Sequence, residues 1–261
     1  MPPSAAMQDI IEQGYHLFRR YPVPSRFNVC CAYCFSEEQQ QALRQISIRA
    51  VPFDLLRDWN SSCNPEAQDS NEIRYLLPRL LEFIACKEFP STVDEACCLR
   101  RVGETNIKRW RPEERAFMVR FAQQFMRDWV SVDDAVELDY MLQMFHFGGL
   151  KIAPLLDAIL DVPGYWATVS LAYLLYFQRD DMIRDAYVER DEDDESITHQ
   201  IKAWATSVQR QLFERAALAM ESPETLGQCS SMCSAQVDSW TIDECLRAMH
   251  DAPLQPDRCN N

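Results

Sequence analysis

Glycine is scarce: 6 in 261 residues, too few for the tight turns of a β-rich fold or for loops that cradle phosphates. No stretch approaches the ~18–20 consecutive apolar residues that a bilayer crossing needs. The strongest candidate, Tyr165 to Phe177, reads instead as a buried core helix. A basic segment followed by an apolar one is missing from Met1 to Asp9, so nothing there directs secretion and a cytoplasmic location is expected. The four histidines, His16, His146, His199 and His250, stand apart from any cysteine or acid at a telling spacing. No H-E-x-x-H, G-x-S-x-G, phosphate-loop or dinucleotide fingerprint occurs. The chain is therefore expected to bind a partner rather than to catalyse a reaction.

What is present reads as globular, with 47% hydrophobic and 25% charged residues. The net charge of −14 is unevenly spread: residues 1–130 carry 17 Lys+Arg against 17 Asp+Glu, and residues 131–261 carry 9 against 23. The expected organisation is a charge-balanced N-terminal helical part, 1–130, and an acidic C-terminal helical part, 131–261. Such a field repels nucleic-acid phosphates and anionic lipid and attracts basic protein surfaces. A basic protein partner is expected, with neither nucleic acid nor membrane as a target.

The apolar spacing is helical throughout. Ile10, Ile11, Tyr15 and Phe18 precede Tyr21-Pro22-Val23-Pro24, where two prolines end the first helix. Ser36 and Gln39 form a capping box that starts a second helix at Glu37, and Thr92 with Glu95 matches the same pattern. Pro52 opens a third helix, and Ile73, Leu76, Leu77, Leu80, Leu81 and Ile84 mark another, bent at Pro78. Gly103 falls where a C-terminal cap belongs, and Pro112 opens a long helix whose Phe117, Phe121, Phe125 and Trp129 make one aromatic ridge. Further helices are expected over 133–147, 152–160, 165–177, 180–188, 196–220 and 241–249. Short connections imply antiparallel neighbours, so the expected fold is all-α, a helical bundle or degenerate HEAT-like stacked helical hairpins.

Two constellations carry candidate chemistry. Cys30-Cys31-Ala32-Tyr33-Cys34 contains a C-x-x-C, half of a zinc site. A second C-x-x-C or H-x-x-x-H is missing, and Cys63 or the Cys97-Cys98 pair would have to complete the set in space. The odd total of eleven cysteines points to reduced thiols, many of them simply buried. A redox role would call for a strand before the motif, which the pattern does not supply. Structural thiols are therefore the expected reading, with no cofactor; a structural zinc, or a zinc- or thiol-dependent enzyme centred on Cys30, Cys31 and Cys34, are the alternatives. The other constellation is the acidic tract Glu189, Asp191, Glu192, Asp193, Asp194 and Glu195, preceded by Asp180, Asp181 and Asp185. It reads either as a solvated segment or as a docking surface for a basic partner; without a central glycine it does not make a calcium loop.

Tyr21-Pro22-x-Pro24, the Cys30/Cys31/Cys34 cluster, Ser36-Glu37-Glu38, Tyr75-Leu76-Leu77-Pro78-Arg79-Leu80-Leu81-Glu82 and Trp110-x-Pro112-x-Glu114 together resemble a family of uncharacterised bacterial helical proteins, over roughly residues 15–180. That resemblance brings no catalytic residues. An acidic helical protein of this kind also looks like an immunity protein of an Rhs-type polymorphic toxin. The resemblance implies a 1:1 complex with a cognate basic toxin domain, an ADP-ribosyltransferase or a nuclease, whose active site it covers. A helical adaptor for an endogenous partner is a further alternative.

Overall fold

The computed structural model describes residues 2–63, 69–131, 138–177, 196–221 and 239–251. Among them the fold is all-α, with twelve α-helices and no strand. No helix among the described residues is long and apolar enough to cross a membrane. The chain divides into two compact units: Met1–Phe125 with Tyr140–Leu150, and Met126–Asp139 with Lys151–Asn261.

The first unit holds α1 (Ala5–Phe18), α2 (Glu37–Gln45), α3 (Phe53–Ser61), α4 (Ser70–Ala85), α5 (Arg100–Glu104) and most of α6 (Pro112–Val130) and α7 (Leu138–Phe147). Ser36 caps α2 with both hydrogen bonds of the capping box, which satisfies two backbone donors that a helix start leaves without partners. Helix α1 buries Met7, Ile10, Ile11, Tyr15 and Phe18 and packs along α4. The Phe18 ring meets Phe117 edge-on at 5.5 Å. Along α6, Phe117, Phe121 and Phe125 are buried and Trp129 is half-buried.

Two local expectations change. Thr92 does not cap the turn behind it: Asp94 does, accepting from the Cys97 amide at 3.0 Å, and the turn over Glu95–Leu99 is a 3-10 helix. A carboxylate one residue from the turn outcompetes a hydroxyl farther back, because a charged acceptor makes the stronger cap. Gly103 lies inside α5 rather than beyond it, and a Cβ there would sit 1.9 Å from the Phe147 carbonyl oxygen. Its role is close backbone approach; the left-handed position is taken by Asn106, at φ 51°.

The second unit is built from α8 (Ala153–Leu160), α9 (Tyr165–Phe177), α10 (Ile197–Ser207), α11 (Gln209–Met220) and α12 (Ser239–Asp251). The segment expected as one helix over 196–220 breaks at Val208, where φ −114° and ψ 14° leave the helical region. Helix α9 is apolar on nearly every side, as a fully packed helix must be. It lies against α11 and α12, with Val169, Ala172, Ala219, Ile242, Cys245 and Leu246 forming the core between them. Trp204 donates from Nε1 to Asp157 at 2.7 Å, tying α10 to α8.

Candidate functional site

The thiols of Cys30, Cys31 and Cys34 come together on the loop that leads into α2. The Cys30 and Cys31 sulfurs are 3.7 Å apart, those of Cys31 and Cys34 3.8 Å apart, and all three lie within 4.8 Å of one another. The loop turns because the amides of Cys34 and Phe35 both donate to the Cys31 carbonyl, each at 3.2 Å. It is fastened at both ends by buried rings, Phe27 and Phe35, which meet edge-on at 6.4 Å. Between these anchors the tip is open, and Tyr33 is 99% exposed.

Local electrostatics distinguish the three sulfurs. Backbone N–H groups of Cys34 and Tyr33 aim at Cys31 and hold its thiol below the ordinary range, since they stabilise the thiolate. Hydrogen bonding to the Cys30 and Cys31 sulfurs pushes the Cys34 thiol up to about 12. Cys31 is thus easier to ionise, and Cys34 harder, than an ordinary thiol. Such a group can bind a thiophilic cation or act as a nucleophile.

A fourth cysteine arrives from elsewhere in the chain. The Cys30 amide donates to the Cys63 carbonyl at 2.9 Å, which sets the segment after α3 beside the cluster. One buried side chain holds both segments. Arg101 donates to the Asn28 carbonyl at 3.2 Å, to the Asn60 carbonyl at 3.3 Å, and to the Ser62 carbonyl and hydroxyl, each at 2.7 Å. Its counter-ion is the buried Glu72, 3.8 Å away, which accepts from the Asn28 amide at 2.8 Å and from Trp59 Nε1 at 2.9 Å. Burial lowers the Arg101 guanidinium to about 10, against the raising effect of Glu72, so it stays charged at neutral pH. The same guanidinium stacks over the Trp59 ring at 4.7 Å.

A cleft of about 510 Å³ lies elsewhere in the first unit, lined by Glu12, Tyr15, His16, Arg49 and Tyr75 among others. Arg49 makes two 2.7 Å bonds to Glu12 and covers the Tyr15 ring at 3.9 Å. Tyr15 donates to Glu82 at 2.5 Å, and burial together with that carboxylate raises its phenol. These groups satisfy one another, so the cleft has the character of a structural network. Most of the polar residues that carry the sequence resemblance serve similar ends. Arg79 bonds Glu82 at 2.6 Å and the Val51 carbonyl at 2.9 Å. Tyr21 donates to the buried Glu114, which also pairs with Arg74 at 3.2 Å.

The expected docking acids Asp180, Asp181, Asp185, Glu189, Asp191, Glu192, Asp193, Asp194 and Glu195 all lie outside the described residues. Charge can still be assigned by unit. The first unit carries 16 Lys+Arg against 16 Asp+Glu and the second 10 against 24, so the whole excess belongs to the second. Nothing in the sequence singled out Arg101 or Glu72, whose partners are carbonyls and amides rather than a side-chain pattern. No protein-family model, no curated protein and no solved structure matches the chain.

Proposed function

We propose that the protein acts in the cytoplasm as a stoichiometric binder of a basic protein domain, an immunity protein that neutralises a cognate bacterial toxin by covering its active site. The observation that supports this reading is the distribution of charge along the sequence: residues 1–130 balance, and residues 131–261 carry the whole net charge of −14. An acidic unit of this kind steers a basic surface toward it and raises the association rate at low salt. Toxin domains acting on nucleic acids or nucleotide cofactors carry basic clefts, and an ADP-ribosyltransferase or nuclease domain is the partner that such a field suits. The contact runs through Asp180, Asp181, Asp185, Glu189 and the tract Asp191 to Glu195.

The test is co-expression with the product of the adjacent reading frame, followed by stopped-flow association across a salt series. A 1:1 complex is expected, with an association rate that falls steeply as salt rises. Reversing the charges of Asp191, Asp193 and Glu195 should slow association at low salt and flatten that dependence. A rate indifferent both to salt and to those reversals would sink the electrostatic reading.

A further inference from the structure

Cysteine is among the residue types most often found inside a protein, and Cys98 and Cys245 follow that rule. Four of the eight cysteines among the described residues do not: Cys30, Cys31, Cys34 and Cys63 are all exposed. The sulfurs of Cys30, Cys31 and Cys34 gather at the turn over 30–34, and the bond from the Cys30 amide to the Cys63 carbonyl ties the Cys63 backbone to the same loop. Packing does not explain three exposed thiols gathered at one turn, with a fourth exposed cysteine bonded to it through the backbone.

We infer that Cys30, Cys31, Cys34 and Cys63 form a zinc site. Thiolates at ~2.3 Å from a tetrahedral ion stand about 3.8 Å from one another along the edges. The two sulfur separations of 3.7 and 3.8 Å already match such edges. The three clustered thiols supply one face of the tetrahedron and Cys63 the remaining ligand, giving a closed site of structural type. Soft sulfur donors select Zn²⁺ over oxygen-seeking cations. Each thiol that ligates releases its proton to solvent.

Arg101 is the positioning residue for both ligand segments, because its guanidinium holds the Asn28 carbonyl on one and the Ser62 carbonyl on the other. A metal bound there adds a cross-link where the polypeptide is already ordered. Zinc binding there requires neither the toxin partner nor the second unit.

The experiment uses the full chain, expressed with added zinc, purified anaerobically without chelator, and analysed for metal content and for the spectrum of the Co²⁺-substituted form. One zinc ion per chain is expected, removed by a strong chelator and restored on adding Zn²⁺. Cys31→Ser and Cys34→Ser should each lose the metal, while Cys86→Ser, at a half-buried thiol elsewhere, should keep it. In Cys63→Ser the thiolate-to-cobalt charge-transfer intensity should drop by about a quarter, one sulfur of four. Metal-free protein with all four thiols free to alkylation would overturn the site, as would a Cys31–Cys34 disulfide in the anaerobic protein. A cobalt spectrum unchanged by Cys63→Ser would overturn the fourth ligand. Far-UV circular dichroism of each variant separates lost metal from lost fold, and chelator removal from the wild-type protein gives the same reading without a substitution.

Discussion

In the first unit, carboxylates sink into the core together with cations, Glu72 with Arg101 and Glu114 with Arg74, and the Tyr21 hydroxyl also donates to Glu114. In the second, Arg215 is half-buried, and it bonds the Leu160 carbonyl at 2.5 Å, the Val162 carbonyl at 2.9 Å and the Thr168 hydroxyl at 3.0 Å. Burial lowers its guanidinium as well. Arg210–Glu214 and Arg247–Asp243 pair there along exposed helix faces. The first unit therefore buries charge as ion pairs, whereas Arg215 in the second is met by carbonyls and a hydroxyl. Buried ion pairs demand complete hydrogen bonding to be tolerated, and Arg101 and Glu72 together tie down Asn28, Asn60 and Ser62. That rigidity serves the thiol-bearing segments.

Each unit contains a buried cysteine, Cys98 in the first and Cys245 in the second, so thiol labelling in a urea series reads the two separately. The largest effect is expected from Arg101→Met. It leaves Glu72 buried without the Arg101 charge and takes this donor from three carbonyls, and should cost about 3–5 kcal/mol, seen as Cys98 labelling at lower urea. Adding Glu72→Leu should recover part of that loss, since an apolar pair of similar volume is often neutral. Leu246→Ala empties part of the second core, where Leu246 is 1% exposed, and should cost ~2–4 kcal/mol, read at Cys245. Gly103→Ala pushes a methyl group onto the Phe147 carbonyl and should cost ~1–3 kcal/mol, again read at Cys98. The smallest change belongs to Arg210→Ala, whose exposed i,i+4 pair with Glu214 supports its helix by under ~0.5 kcal/mol. If that surface substitution moved Cys245 labelling as far as Leu246→Ala does, the contrast between an apolar core and a solvated charge pair would collapse.

Much of the architecture was legible in local sequence. Ser36 with Gln39, Pro112 at the start of α6 and the apolar span of α9 each act through neighbouring residues, and these three helix starts appear in the structure. Thr92 and Gly103 misled for a complementary reason. A better capping acceptor stood two residues on at Asp94, and the constraint on Gly103 comes from a carbonyl 44 positions away in the chain, at Phe147. The thiol cluster was half legible: the spacing of Cys31 and Cys34 marks it, but the arrival of Cys63 depends on how the end of α3 packs.

Helical periodicity, the scarcity of glycine and the acidic surplus are properties of the chain read in order, and they determined an all-α protein with a one-sided charge. Which charges are buried, and against what, was decided only on folding. Glu72, Arg101 and Asn28 are far apart in sequence. Their association is worth its desolvation cost only once α3, α4 and α5 have excluded water around them and supplied every remaining hydrogen bond.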